Sequence, residues 1–184
     1  MALKIISDDY YFMTGLVSLL KALNKEKVVA YKAESPSITI KPGEVVLVDI
    51  QNTLLRNQFF SNEKMPLCRV VICSDLVRQP RQQKSFPWLV QRNCSFPALV
   101  EQLELAKRQP LKHTRFRPNE KAILSALGRG AHTFSWVSPK SKEWVFEFRS
   151  RMYKKYGMHR CNSAAMLLCR DILLHHQMNH YLYK

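Results

Sequence analysis

Glycine is scarce in this chain of 184 residues, and its five copies stand apart at positions 15, 43, 128, 130 and 157. So dispersed, they build no glycine-rich loop of the kind that cradles a phosphate. Carboxylates are few as well, with 14 Asp+Glu against 29 Lys+Arg. No run approaches the roughly 20 apolar residues that a membrane-spanning helix needs. The apolar start MALKIIS meets Asp8 and Asp9 at once, unlike a signal peptide. The five cysteines (68, 73, 94, 161 and 169) are odd in number and hold no CxxC pair. That pattern fits reduced thiols better than a disulfide framework. No Ser/His/Asp or Cys/His arrangement can be read from spacing, so no enzyme is expected. His176 and His180 stand at i,i+4 with Cys169 behind them, but no second ligand pair accompanies them. Neither metal nor cofactor is therefore expected. The expectation is a soluble, cytoplasmic chain without a membrane partner.

What the chain has is apolar substance and positive charge. Hydrophobic residues make up 46%, enough for real cores. The net charge is +15 and unevenly spread: residues 1–110 hold 15 basic and 10 acidic residues, while 111–184 hold 14 basic and 4 acidic. A field of that strength draws a polyanion, because displaced counterions drive association with phosphates. A solvated surface and an anionic membrane are the competing readings. The sequence shows no basic amphipathic helix with an exposed apolar face, which favours nucleic acid.

Periodicity divides the chain at a polar, basic, proline-bearing stretch, KRQPLKHTR at 107–115. Ahead of it, KIIS (4–7), VVLVDI (45–50), RVVICS (69–74) and WLVQ (88–91) read as strands. The longer runs are continuously apolar, as in strands buried on both faces. At most one further strand is expected within 28–40. Helical spacing over 11–23 places Leu16, Leu19, Leu20 and Leu23 on one side. A second helix opens at Ser95-Phe96-Pro97, with Ser95 as its cap, and runs to about 107. Strands and helices so interleaved predict a doubly wound parallel α/β sheet. Core packing is the default for Tyr10, Tyr11 and Phe12.

Beyond the division the pattern is all-α. Pro118 opens a helix that Gly128-Arg129-Gly130 ends. Ser138-Pro139 starts a second that stops at Gly157, and Asn162 or Ser163 caps a last one reaching about 176. In the second helix Val145, Phe148, Met152 and Tyr156 form an apolar stripe. Glu147, Ser150, Arg151 and Lys154 face the other way, with Phe146 and Lys155 at the margins. An anchored back and a basic, hydrogen-bonding front are what a major-groove reader needs.

This C-terminal segment resembles the LuxR/FixJ-type helix-turn-helix of bacterial regulators. The likeness rests on Phe116-Arg117-Pro118-Asn119-Glu120-Lys121-Ala122-Ile123-Leu124, then Leu127 and Gly130. Ser141, Val145, Arg149, Met152, Lys155, Tyr156, Gly157 and Met158 follow at the spacings of the family's recognition helix. The resemblance covers about 60 residues, and AHTFSWVSPK is a shortened, poor version of the family's second helix. It implies duplex DNA as partner, and a dimer with itself or with a related regulator. The DNA-contacting set it implies is Lys140, Lys142, Phe146, Glu147, Arg149, Ser150, Arg151, Lys154 and Lys155. Phe146 takes a place where the family often has a contacting Lys.

The N-terminal half resembles a response-regulator receiver domain. Asp49 ends the central strand at the phosphoacceptor position, behind an acidic pair that is Asp8-Asp9 or, in another alignment, Ser7-Asp8. The family's Thr position falls on Cys73 or Ser74, and its Lys position on Arg92, which is no conservative exchange. The short interval from Asp49 to Cys73 leaves little room for the usual third helix. The resemblance implies one of two states. Asp49 is a relic, or it is a phosphoacceptor with Asp8 and Asp9 as Mg²⁺ ligands. The expected organisation is a degenerate receiver-like domain over 1–107, a linker over 108–115 and a helix-turn-helix domain over 116–184. The leading functional expectation is a transcription regulator independent of phosphorylation. Its rivals are a phosphorylated response regulator, an accessory protein that binds a partner regulator without reading DNA, and a sequence-independent RNA-binding protein.

Overall fold

A computed structural model describes residues 2–23, 27–77 and 88–111 as continuous segments. Beyond them it describes residues 118, 120, 122, 143, 146–148, 150, 151, 154, 164, 165 and 167–172. Five parallel strands, β1 (Leu3–Ser7), β2 (Val28–Lys32), β3 (Val45–Asp49), β4 (Arg69–Ser74) and β5 (Trp88–Gln91), form one sheet in the order β2-β1-β3-β4-β5. That order is the flavodoxin-like version of the doubly wound fold, as the apolar runs predict. Gly43, at φ 83°, makes the turn into β3, a conformation that side-chain-bearing residues rarely adopt. Among the described residues, no helix is long and apolar enough to cross a membrane.

Alternation along the strands makes two cores. Leu3, Ile5, Val45, Leu47, Val71, Cys73, Trp88 and Val90 point to one face. Helices α1 (Tyr10–Ala22) and α3 (Phe96–Arg108) cover that face, through Met13, Leu16 and Leu20 and through Leu99, Leu103 and Ala106. The expected α1 stripe is thus corrected: Leu19 and Leu23 are exposed, and Met13 takes a buried place. The helix contacts the sheet along a stripe narrower than its apolar content. Tyr10 and Tyr11 are also exposed rather than packed in the core, and Phe12 is partly buried. Ser95 holds the cap position of α3, but its side chain makes no capping bond.

The second face carries Ile6, Val46, Val48, Val70, Ile72 and Leu89. No helix joins β2 to β3; an irregular crossing with several turns over residues 33–44 contributes Ile38 and Ile40 to this core. The short helix α2 (Thr53–Phe60) and a 3-10 turn (Met65–Leu67) add Phe59, Phe60 and Met65. The remaining cover comes from the far end of the chain, where Phe148, Leu168, Cys169 and Ile172 join the same buried cluster.

Residues 118, 120 and 122, then 143, 146–148, 150, 151 and 154, then 164, 165 and 167–172 are helical. Each group falls within one of the three expected C-terminal helices. Val145, Met152 and Tyr156 of the apolar stripe, together with Cys161, His176 and His180, lie outside the described residues.

Candidate functional site

Parallel strands gather their C-terminal ends at one edge of the sheet, where doubly wound folds place their chemistry. Here that edge brings together Ser7 at the end of β1 with Asp8 and Asp9 after it, Asp49 at the end of β3 with Gln51 after it, and Arg92 after β5. Asp49 is fully buried, and four bonds take up its oxygens. Oδ1 accepts from Arg92 Nε at 2.9 Å and from Gln51 Nε2 at 3.0 Å. Oδ2 accepts from Ser7 Oγ at 2.8 Å and from Arg92 Nη2 at 3.3 Å. Burial pushes the Asp49 carboxyl above the ordinary carboxylate value, against the opposing pull of the Ser7, Arg92 and Gln51 bonds.

Asp8 and Asp9 have separate tasks. The Asp8 carboxylate accepts from the backbone N–H of Gln51 at 2.9 Å and of Asn52 at 2.7 Å, tying the loop after β3 to the end of β1. Asp9 caps α1, accepting from Tyr11 N at 2.9 Å and Phe12 N at 3.0 Å, and pairs with Arg92 Nη2. The Phe12 and Tyr11 backbone bonds and the guanidinium hold the Asp9 carboxyl below its ordinary value. Arg92 also lies 5.3 Å from the Phe12 ring centroid, a cation–π contact that fixes its far side.

Chemically this is a cluster of three carboxylates, two of them bound by one guanidinium. A catalytic receiver needs a carboxylate oxygen open to a phosphoryl group and a cation beside it. Here the guanidinium is the cation, and Asp49 presents no oxygen without a donor. Among the described residues, no group of three or more His, Cys, Asp or Glu is arranged to hold a metal ion. Cys73 and Ser74 are both buried; burial drives the Cys73 thiol well up, and Ser74 Oγ accepts from Leu76 N at 3.2 Å. Cys68, buried and donating to Lys41 O and Lys64 O, is pushed up to about 12. Cys68, Cys73, Cys94 and Cys169 are free thiols.

The second candidate region is the helix around Phe148. Phe146, Glu147, Arg151 and Lys154 are exposed, Ser150 is half-buried, and Phe148 is buried. At about 100° per residue, Phe146 and Phe148 face nearly opposite ways, so one side is anchored and the other open. Lys140, Lys142, Arg149 and Lys155 lie outside the described residues. Sequence reasoning missed two residues that join α2 to the helical group at 164–172. Arg56 on α2 donates from Nε to Asp171 Oδ2 at 2.6 Å, and both side chains are buried. Nothing in a 115-residue separation signals that pair.

No protein-family model matches the chain, and no curated protein matches it. Two solved structures align over 92% of this chain and 98% of their own, at 13% identity. One is RcsB from Salmonella enterica serovar Typhimurium bound to promoter rprA in the presence of the phosphomimetic BeF3-, with a TM-score of 0.45. The other holds two RcsB dimers bound to two parallel DNAs, with a TM-score of 0.46.

Proposed function

We propose that this chain is a bacterial transcription regulator that binds promoter DNA through its C-terminal helix-turn-helix and works without phosphorylation. The observation that carries the reading is the two-sided helix: Phe148 buried behind, and Phe146, Glu147, Arg151 and Lys154 exposed in front. It lies in the part of the chain with the largest basic excess, at the spacings of the LuxR/FixJ recognition helix. In this reading Glu147, Ser150 and Arg151 meet base edges, and Lys140, Lys142, Arg149, Lys154 and Lys155 meet phosphates or flanking bases. Phe146, with no hydrogen-bonding group, meets a thymine methyl.

The occupied acidic cluster supports phosphorylation independence, because Arg92 binds both Asp49 oxygens and the Asp9 carboxylate that a metal and a phosphoryl group would need. The α/β half then serves assembly. Tyr11, 86% exposed, and Leu54, 78% exposed, are large apolar side chains at the starts of α1 and α2, suited to a second copy or a related regulator. The proposed division stays at 1–107 and 116–184, and the proposed place of action is the cytoplasm.

The test is a gel-shift titration of the full chain on random and promoter-derived duplexes across a salt series. Binding that weakens steeply with salt and prefers particular duplexes supports the reading. No duplex binding at low salt overturns it in favour of an accessory protein, and equal binding to any nucleic acid overturns sequence reading.

A further inference from the structure

Between β2 and β3 a doubly wound fold ordinarily places a helix against the sheet. This chain has the irregular crossing at residues 33–44 instead, and α2 spans only 8 residues. The apolar face so exposed is closed by Leu168, Cys169 and Ile172 from the C-terminal helical segment and by Phe148 from the DNA-facing helix. One buried carboxylate with two arginine partners is set into that apolar seam. Asp171, fully buried, accepts from Arg56 Nε at 2.6 Å and from Arg170 Nη2 at 2.9 Å. Apolar packing is non-directional and tolerates sliding, whereas a buried charge pair is satisfied in one register only.

We infer that Arg56 and Asp171 are positioning residues: their pair seats the C-terminal helices on the α/β sheet and fixes the DNA-facing helix in one orientation. Arg56 is itself held from the other side. Asn52, whose N–H is bound by Asp8, caps α2 one turn before Arg56 through bonds to Leu54 N at 2.9 Å and Leu55 N at 3.3 Å. The clasp therefore stands on the same loop that the acidic cluster braces. The seating itself needs no DNA; only its consequence for orientation rests on the proposed function.

The experiment places two spin labels in the full chain, at exposed Asn93 and exposed Glu143, as non-natural side chains so that native thiols are untouched. Distances are measured with and without duplex. Wild type should give one narrow distance in both states. Arg56→Met should broaden it at least twofold while circular dichroism stays native, and Arg56→Lys, whose Nζ reaches one bond past the position of Arg Nε, should restore a single peak. A broad distribution in wild type overturns the seating, and an unchanged one in Arg56→Met overturns the role of the pair. If Arg56→Met does not fold, Arg56→Met/Asp171→Leu removes the buried carboxylate that Arg56→Met leaves with Arg170 alone. A narrow distance there would mean packing alone sets the register, against the proposal; a broad one supports it. A narrow distance in a wild-type protein that binds no duplex would sink the proposed function and leave the clasp intact.

Discussion

The guanidinium of Arg92 joins two carboxylates that belong to different elements: Nε lies 2.9 Å from Asp49 Oδ1 at the end of β3, and Nη2 pairs with Asp9 at the head of α1. Arg92→Met leaves Asp49 buried with only Ser7 and Gln51 as donors. Arg92 keeps a fifth of its side chain exposed, so the cost should fall below that of a fully buried pair, at about 2–3 kcal/mol. Arg92→Met/Asp49→Asn should recover at least half of it. Urea denaturation of the two single variants and the double variant measures the coupling; additive losses would mean the contact contributes nothing.

Acid should weaken the protein partly through Asp9. Its folded carboxyl lies below the ordinary value of 3.8, so the unfolded state takes up more protons as pH falls through that value. The stability Asp9 contributes is complete above about pH 5 and disappears toward its folded value. Asp49, raised by burial, acts in the opposite sense: its contribution is present in acid and lost as pH rises through its folded value. Asn caps helices well, so Asp9→Asn keeps the α1 cap and removes only the titration and the ion pair. The loss of stability between pH 5 and pH 3 should be shallower in Asp9→Asn than in wild type. Identical slopes in denaturation series across that range would reject this assignment.

Phosphorelay gives a third expectation. Asp49→Asn retains a donor and an acceptor in the buried cluster, so the fold should persist. Promoter output should then stay within a few-fold of wild type, and acetyl phosphate should add no mass to the wild-type protein. A phosphorylated Asp49 in intact-mass spectra, or loss of regulation in a folded Asp49→Asn protein, would restore the receiver chemistry.

Much of the α/β half could be read in advance because buried parallel strands announce themselves: RVVICS and WLVQ became β4 and β5 without a shift. Leu19 and Leu23 misled because helical period reports which side chains share a side, not how far the sheet extends beneath them. Asp49, Ser7 and Arg92 stood out at strand ends, but their bonding to one another and to Gln51 did not, since the four converge only through the parallel register. Asp171 had no signal at all: a lone acid in a basic tail reads as solvated until the fold brings Arg56 to it.

Two phenylalanines, two residues apart, allow packing to be separated from recognition. Phe148 is almost fully buried in the core shared with β3 and β4, whereas Phe146 is 71% exposed. Phe148→Ala leaves a cavity that neighbours only partly refill, and should cost about 3–5 kcal/mol. Phe146→Ala touches no core and should change stability by about 0.5 kcal/mol or less. Under the proposed function its effect belongs on DNA. A phenyl ring reads no donor or acceptor, and a thymine methyl is the base feature in the major groove that rewards apolar contact. Phe146→Ala should therefore cost about 1 kcal/mol at one A·T position and leave the salt slope unchanged, because it displaces no counterion. Lys154→Ala should do the reverse, weakening all sequences alike and flattening the slope by roughly one unit. Selection from random duplexes with wild type and the Phe146→Ala and Lys154→Ala variants, alongside denaturation of Phe148→Ala, tests all three. An unchanged preference in Phe146→Ala would take Phe146 off the reading face. Altered stability there, with DNA preference intact, would make it a packing residue against a neighbour.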